Sequence, residues 1–464
     1  MTSTSARMPR RPAAPRLPAA PRRPAGTWRN WSGTASAHAQ RYWRPRDTED
    51  VVRAVRWAAR QGLRVRAVGA GHSFTDVAVT DGVMLNLDHL ADVERVVRRP
   101  DGTAHVTVGA GIRLRALNRE LAARGLAMAN LGDIDRQSIA GAISTGTHGT
   151  GARLGGLATQ VVGVRLVTAD GVVHDVDAEH QPVLFEAARL SLGALGVLVA
   201  VTLRAVPAFT LRAREQVLPL DDVLDRLEGP DGWVATTDHV DMYWMPFTRR
   251  AQVKRNDRVP PGTGPTRPAW RRWVDHELLE NGVFGAANRL AAAVPSAVPL
   301  LNAGVAAVMS DRVLCAPSHE VFVSPRRVVF REMEYAVPHD ALREVVAEVD
   351  GWLRRTREPV PFPVEIRFAA ADDVWLSTAY RRESAYLAVH QYHRMEHERF
   401  FAAVEAIVGA VDGRPHWGKL HHLDAERLAT LYPRFEDFRA VRAEHDPAGM
   451  FANAYTDRVL GPVG

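Results

Sequence analysis

Two runs of small residues, each next to an apolar segment, constrain this chain more than any other feature. Gly69 to Asp76 (GAGHSFTD) follows the alternating stretch Leu63 to Val68, and Ser138 to Gly151 (SIAGAISTGTHGTG) is rich in Gly and Thr. Backbone with so little side-chain bulk lets N–H groups close on a diphosphate, and Ser and Thr hydroxyls add donors. Gly69, Gly71 and Ser73 in the first run, and Thr145, Gly146, Gly149 and Thr150 in the second, suit that task. No G-K-[ST] follows the glycines, so neither run is a P-loop, and Phe74 occupies the third glycine position of a dinucleotide fingerprint. NTP hydrolysis and NAD binding lose their support, while tight structural turns remain an open alternative. His72 sits among these small residues, with little to screen it.

The surrounding pattern is α+β. Asp47 and Thr48 can cap a helix that places Val51, Val55, Ala58 and Ala59 on one face and stops at Gly62. Ala104 to Val108 leads through Gly109 and Gly111 into a helix with Leu114, Leu117 and Leu121 on one side, ended by Gly125. Val161 to Val176 is expected to form a hairpin turning at Asp170-Gly171, and a further strand ends near Pro207. Residues 27–209 therefore make one domain. Beyond it, strands are expected at Val364 to Phe368 and Tyr386 to Tyr392, helices at His339 to Leu353 and His397 to Val411, and an irregular loop at Val259 to Pro268.

Of 464 residues, 46% are hydrophobic and 24% charged, enough to bury cores in two domains. The formal charge of +6 is local. Residues 1–26 hold six arginines and no acid, and setting them aside leaves Lys and Arg equal in number to the 53 Asp and Glu. A basic groove for nucleic acid is thus not indicated. The Pro-, Ala- and Arg-rich tail reads as disordered. No apolar stretch follows Arg10-Arg11, so export is not expected and the chain reads as cytoplasmic. Leu290 to Met309 carries no charge but is interrupted by Pro295, Pro299 and Asn302, which suits buried helices or a peripheral membrane contact better than a span. One cysteine, Cys315, leaves no internal disulfide.

In the second half, Glu365 and Arg367 lie two apart in PVEIRF. On a strand they face one way, with Val364, Ile366 and Phe368 facing the core. An acid and a guanidinium side by side can orient the hydroxyls of a polyol or sugar, although a salt-bridged surface strand would look the same. Tyr386, Ala388, His390 and Tyr392 share another strand face, and RPHWGK sets His416 and Lys419 around Gly418. A lysine there can hold developing negative charge. His390, His393 and His397 do not have the spacing of a metal site, and no metal is expected.

Together these segments resemble the sugar-1,4-lactone oxidases and dehydrogenases of the vanillyl-alcohol-oxidase flavoprotein superfamily, which also holds the alditol oxidases. The resemblance runs from Trp28 to Gly461 through VRAVGAGHSFTDVAVTDGVML, SIAGAISTGTHGTG, SLGALGV, MEYAVP, VEIRFAAADDVWLSTAY, AVHQY, RPHWGK and FANAYTDRVLG. It implies an FAD-binding α+β domain over 27–209, a substrate cap with a β-sheet and flanking helices over 210–430, and a closing segment, 431–464, that returns to the FAD domain. Flavin-contacting positions of the family fall on Gly69, Ala70, Gly71, Ser73, Ser138 and Gly141, and on Ser144, Thr145, Gly146, His148, Gly149 and Val197. His72 matches the histidine that in many members is bonded to the flavin 8-methyl. Glu365, Arg367 and Lys419 match substrate-orienting positions, with Ser138, His390 and His416 nearby. The implied reaction is hydride transfer from a carbinol carbon of a sugar lactone to FAD, with O2, a cytochrome or another acceptor taking the electrons. An alditol oxidase and a non-catalytic nucleotide-binding protein are the rival readings.

Overall fold

The computed structural model describes residues 27–260, 263, 282–324 and 326–463. The arginine-rich tail and most of the loop Val259 to Pro268 lie outside them. The N-terminal half opens with the helix Thr48–Gln61, capped by the Asp47 carboxylate on the Asp50 N–H at 2.7 Å and stopped by Gly62 at φ 63°. It feeds a three-stranded parallel sheet, in which Val83–Asn86 lies between Arg41–Trp43 and Val65–Val68. A second sheet pairs Val197–Pro207 with Val161–Val167 on one side and Ala104–Gly109 on the other. The hairpin turns at Gly171, whose φ of 75° is one that glycine adopts without strain.

Residues 210–415 contribute an eight-stranded sheet. Its central strands run in the order His239–Trp244, Val364–Ala369, Ser384–Tyr392 and Phe330–Pro338, all antiparallel neighbours. Each alternates. Val240, Met242 and Trp244, Val364, Ile366 and Phe368, and Met333, Tyr335 and Val337 join one apolar core with the helices Leu342–Thr356 and Glu398–Gly409. The opposite face meets the N-terminal half. The Gly151 N–H donates to the Phe368 carbonyl at 2.8 Å, and the Phe74 N–H to that of Gly418 at 2.7 Å.

The chain then goes back. Phe435, Phe438, Phe451, Val459 and Leu460 pack into the core of the N-terminal half. The Arg66 guanidinium ties the two together, donating to the carbonyls of Phe451 at 2.6 Å and Leu192 at 2.7 Å. Leu290 to Met309 folds as the helices Phe284–Ala293 and Val298–Val308 joined by a short turn. They form a surface pair rather than buried helices, with Leu300 77% and Val308 71% exposed. Among the described residues no helix is long and apolar enough to cross a membrane.

Candidate active site

The two small-residue runs are stitched together. A Cβ on Gly69 would lie 2.3 Å from Ser138 Oγ, so only glycine admits this approach. Ser138 caps the short helix Ile139–Ser144, its hydroxyl accepting from the Gly141 N–H at 3.3 Å. Between the runs opens a cleft of about 950 Å³, counting space open to solvent. From the first run Gly69, Ala70, Gly71, His72 and Ser73 line it, and from the second Ser138, Gly141, Ser144 and Thr145. Arg113, fixed by Asp88, keeps its buried Nη1 without a partner among the described residues, 3.9 Å from where a Gly69 Cβ would stand. A free guanidinium donor beside a glycine turn fits a diphosphate, which is the polar centre of FAD.

A second cleft of about 560 Å³ shares His72, Ser73, Gln137 and Thr145 with the first, so the two meet at His72. Burial and the cations of Arg113, Arg136 and Lys419 press the His72 imidazole down to about 4, leaving it neutral at physiological pH. The second cleft is walled by Asp133, Glu334, Arg367 and Lys419, with His148 and His416.

Its charges are paired across the sheet. Arg367 contacts Glu365, holds Asp241 at 3.4 Å through Nε, and lies 3.6 Å from Asp133. The Tyr243 hydroxyl donates to Glu365 at 2.9 Å. Burial opposes the Arg367 charge, but Glu365, Asp133, Tyr243 and Asp241 outweigh it and hold its pKa well above the usual guanidinium value. Lys419 binds Glu332 and lies 3.8 Å from Glu334. Against the effect of burial, these two acids raise its pKa, so it stays an ammonium.

His148 is stacked on Tyr386 with ring centroids 3.6 Å apart. Its Nδ1 donates to the Gly149 carbonyl at 2.8 Å, and its Nε2 faces Glu334 at 3.1 Å. His416 accepts the Gly418 N–H on Nδ1 at 3.0 Å, and burial lowers its pKa to about 3. It is a neutral ring with its proton on Nε2. His148, Glu334 and His416 bring three ligand atoms within 4.8 Å of one another, but Lys419 already sets a cation beside Glu334.

Several sequence expectations land elsewhere. Glu365 does not line the cleft; it stands behind Arg367 and orients it. His390 is likewise set back, 3.5 Å from Glu332 and against Phe330 and Phe362. Gly146, Gly149 and Val197 line neither cleft. Gly149 instead allows close backbone approach, since a Cβ would meet Asn130 Oδ1 at 2.3 Å. His390, His393 and His397 do not converge, because they bond to Pro363, Val329 and Arg331 respectively. Sequence reasoning missed Asp133, Asp241, Tyr243, Glu332 and Glu334. Strand alternation was a usable signal for four of them. Asp241 and Tyr243 in HVDMYW, and Glu332 and Glu334 in REMEYAV, occupy the polar side of alternating strands just as Glu365 and Arg367 do.

Comparison with known proteins places this architecture. Residues 39–177 match the FAD binding domain family. The fold resembles solved cholesterol oxidases, among them a solvent-stable enzyme at TM-score 0.77 and 20% identity, covering 94% of this chain and 97% of that one. The protein is thus an FAD-dependent oxidoreductase of the vanillyl-alcohol-oxidase type, with two domains and α+β structure. Residues 201–459 match the D-arabinono-1,4-lactone oxidase family, and the chain belongs to it. It is 43% identical over 435 residues to the L-gulono-1,4-lactone dehydrogenase of Mycobacterium tuberculosis, covering 94% of this chain and 99% of that protein. Bovine (Bos taurus) L-gulonolactone oxidase is 32% identical over 439 residues, covering 93% and 97%. The D-arabinono-1,4-lactone oxidase of Eremothecium gossypii is 40% identical over 243 residues, covering 52% and 45%.

Proposed function

We propose that this protein oxidises a sugar-1,4-lactone of the L-gulono, L-galactono or D-arabinono type at a carbinol carbon. The observation that carries this reading is the junction of the two clefts at His72, where a flavin lodged in the first would meet Arg367 and Lys419 in the second. Bound there, FAD would supply the redox chemistry, as the acceptor of a hydride from the carbinol carbon. Gly69, Gly71, Ser73, Ser138 and Arg113 would hold its diphosphate.

The chain's own residues then bind and orient the lactone. Arg367, kept charged by its three carboxylates, donates to a ring or carbonyl oxygen. The Lys419 ammonium is a donor rather than a base, and it favours negative charge on the carbinol oxygen as the proton leaves. His416 presents Nε2–H and serves as a second donor rather than as a proton acceptor. Glu334, which lines the cleft between Lys419 and His148, accepts the hydrogen bond of the carbinol O–H and takes its proton as the hydride leaves the carbon. The relatives favour lactones over open-chain alditols, since those described above are named for lactones. His72, neutral and at the junction, is the attachment point for a covalent flavin bond.

One experiment tests the reading. The purified protein is expected to be yellow and to bleach anaerobically with L-gulono- or D-arabinono-1,4-lactone, faster than with xylitol or sorbitol. Admitting air to the reduced sample then reads the acceptor, because rapid return of colour means oxygen and slow return means another oxidant. Denaturing the wild type should leave flavin fluorescence with the polypeptide, and His72→Ala should release it. A colourless protein, or one bleached by alditols alone, overturns the proposal.

A further inference from the structure

From the N-terminal half the second cleft exposes one carboxylate, Asp133. Asp133 belongs to the loop between Leu126–Ala127 and Ile139–Ser144, and its backbone carbonyl accepts from the Ser324 N–H at 3.0 Å. Its side chain divides between two guanidinium groups. Oδ2 accepts from Arg326 Nη2 at 2.6 Å and Nε at 3.1 Å, while Oδ1 faces Arg367 at 3.6 Å. Arg326 has a second anion within reach, Glu365 Oε2 at 4.0 Å. Glu365 is the main partner of Arg367 through its other oxygen. Two arginines thus stand within reach of one glutamate, and Asp133 contacts both of them.

We propose that Asp133 is a positioning residue that keeps Arg326 off Glu365 and so leaves Arg367 aimed into the substrate cleft. The inference rests on the lactone reading of that cleft, or on the alditol reading equally, because either substrate would meet the same guanidinium. Without the Asp133 charge, Arg326 is a partly buried cation whose remaining carboxylate within reach is Glu365 Oε2 at 4.0 Å, and a cation stripped of its partner in a site of lowered dielectric gains by closing on that anion. Glu365 would then turn from Arg367 toward Arg326. Substrate affinity would fall while the flavin, held by other residues, stayed in place.

The sign of the double variant separates this role from a simple clasp between domains. Asp133→Asn is expected to raise KM, and the Kd of a non-oxidisable deoxy analogue read from the flavin spectrum, by roughly tenfold or more, the scale of one charge-assisted bond. Its kcat should change by less than about threefold. Arg326→Gln alone should stay near wild type, since Asp133 and Glu365 still hold Arg367. Asp133→Asn combined with Arg326→Gln should recover most of the lost affinity, because the competitor for Glu365 is gone. A clasp predicts the reverse, with Arg326→Gln as damaging as Asp133→Asn and no recovery in the double variant, and that result overturns the proposal. If Asp133→Asn fails to fold, the double variant decides: affinity near wild type upholds the proposal, and affinity lowered roughly tenfold or more, or failure to fold, overturns it. The series is run with whichever lactone or alditol bleaches the wild type. Failure of the lactone reading then shows in the wild type, and failure of this inference in the variants.

Discussion

The two clefts that meet at His72 are built from different materials. The first is backbone and small side chains, where Gly69 and Gly71 leave room and Ser138 and Gly141 settle each other's hydrogen bonds. The second is a lattice of buried charges in which Arg367 is held by Glu365 of its own strand and by Asp133 and Asp241 from elsewhere, and Lys419 by Glu332 and Glu334 of another strand. A backbone cradle tolerates loss of a side chain but not gain of one. An ionic lattice behaves the other way, because removing one member strands its partner in a low-dielectric site. The same protein should therefore show opposite sensitivities a few ångströms apart.

The largest effect is expected where the lattice touches substrate. Arg367→Ala and Lys419→Ala should each lower kcat/KM by about 100-fold or more, the scale seen when a preorganised donor to developing charge is removed. Both should remain yellow, since neither residue lines the first cleft. Full turnover at saturating lactone in either variant would break the division of labour between the clefts. The converse test adds bulk to the cradle. Gly69→Val places a methyl-bearing Cβ 2.3 Å from Ser138 Oγ and forces the two loops apart, with about 1–3 kcal/mol of strain. Purified Gly69→Ala should carry less flavin and melt at a lower temperature than wild type, and Gly69→Val, whose methyls add to the same clash, should be worse still. Wild-type flavin content in both variants would show that the loops yield without losing the cofactor.

The same contrast explains what the sequence disclosed. Gly-rich turns are local, so Gly69, Gly71 and Ser138 could be chosen from a few neighbouring letters, as could the cap at Asp47 and the turn at Gly171. The alternation of Val364 to Ala369 told which way Glu365 and Arg367 face, because a strand has a period of two. It could not tell that Arg367 fills the cleft while Glu365 stands behind it. That depends on Tyr243, 122 positions away in the chain, and on the Asp133 loop, whose partner Arg326 is 193 positions distant. Charge pairing across a sheet is set by strand order, and nothing in a single strand encodes its neighbours. His390 illustrates the error this produces. It has the expected strand face, but Phe330 and Phe362 from other segments cover it.

The smallest expected effect concerns pH and bears only on the lattice. Asp241 is buried with Arg367 and Lys254 on one side and Glu365 and Asp133 on the other, and burial raises it from 3.8 to about 6. Because the folded protein binds this proton more tightly than the unfolded chain, Asp241 contributes stability that is fully present below 3.8 and is lost as pH rises through about 6. Its effect on activity runs in the opposite sense. Above pH 6 the carboxylate holds Arg367 Nε at 3.4 Å, and below it the neutral acid lets that contact go. The affinity for lactone should therefore weaken, within about tenfold, as pH falls through 6. Asp372 is also raised to about 6, but its partners are Ser377 and Val374 of its own loop, away from the cleft. Asp241→Asn should hold the weaker, low-pH affinity at every pH and melt no lower than wild type at pH 8. The flavin content, fixed by the cradle, should not change with pH over this range in either protein. An acid limb near pH 6 that survives in Asp241→Asn would mean that another group sets it and that Arg367 does not need its third carboxylate.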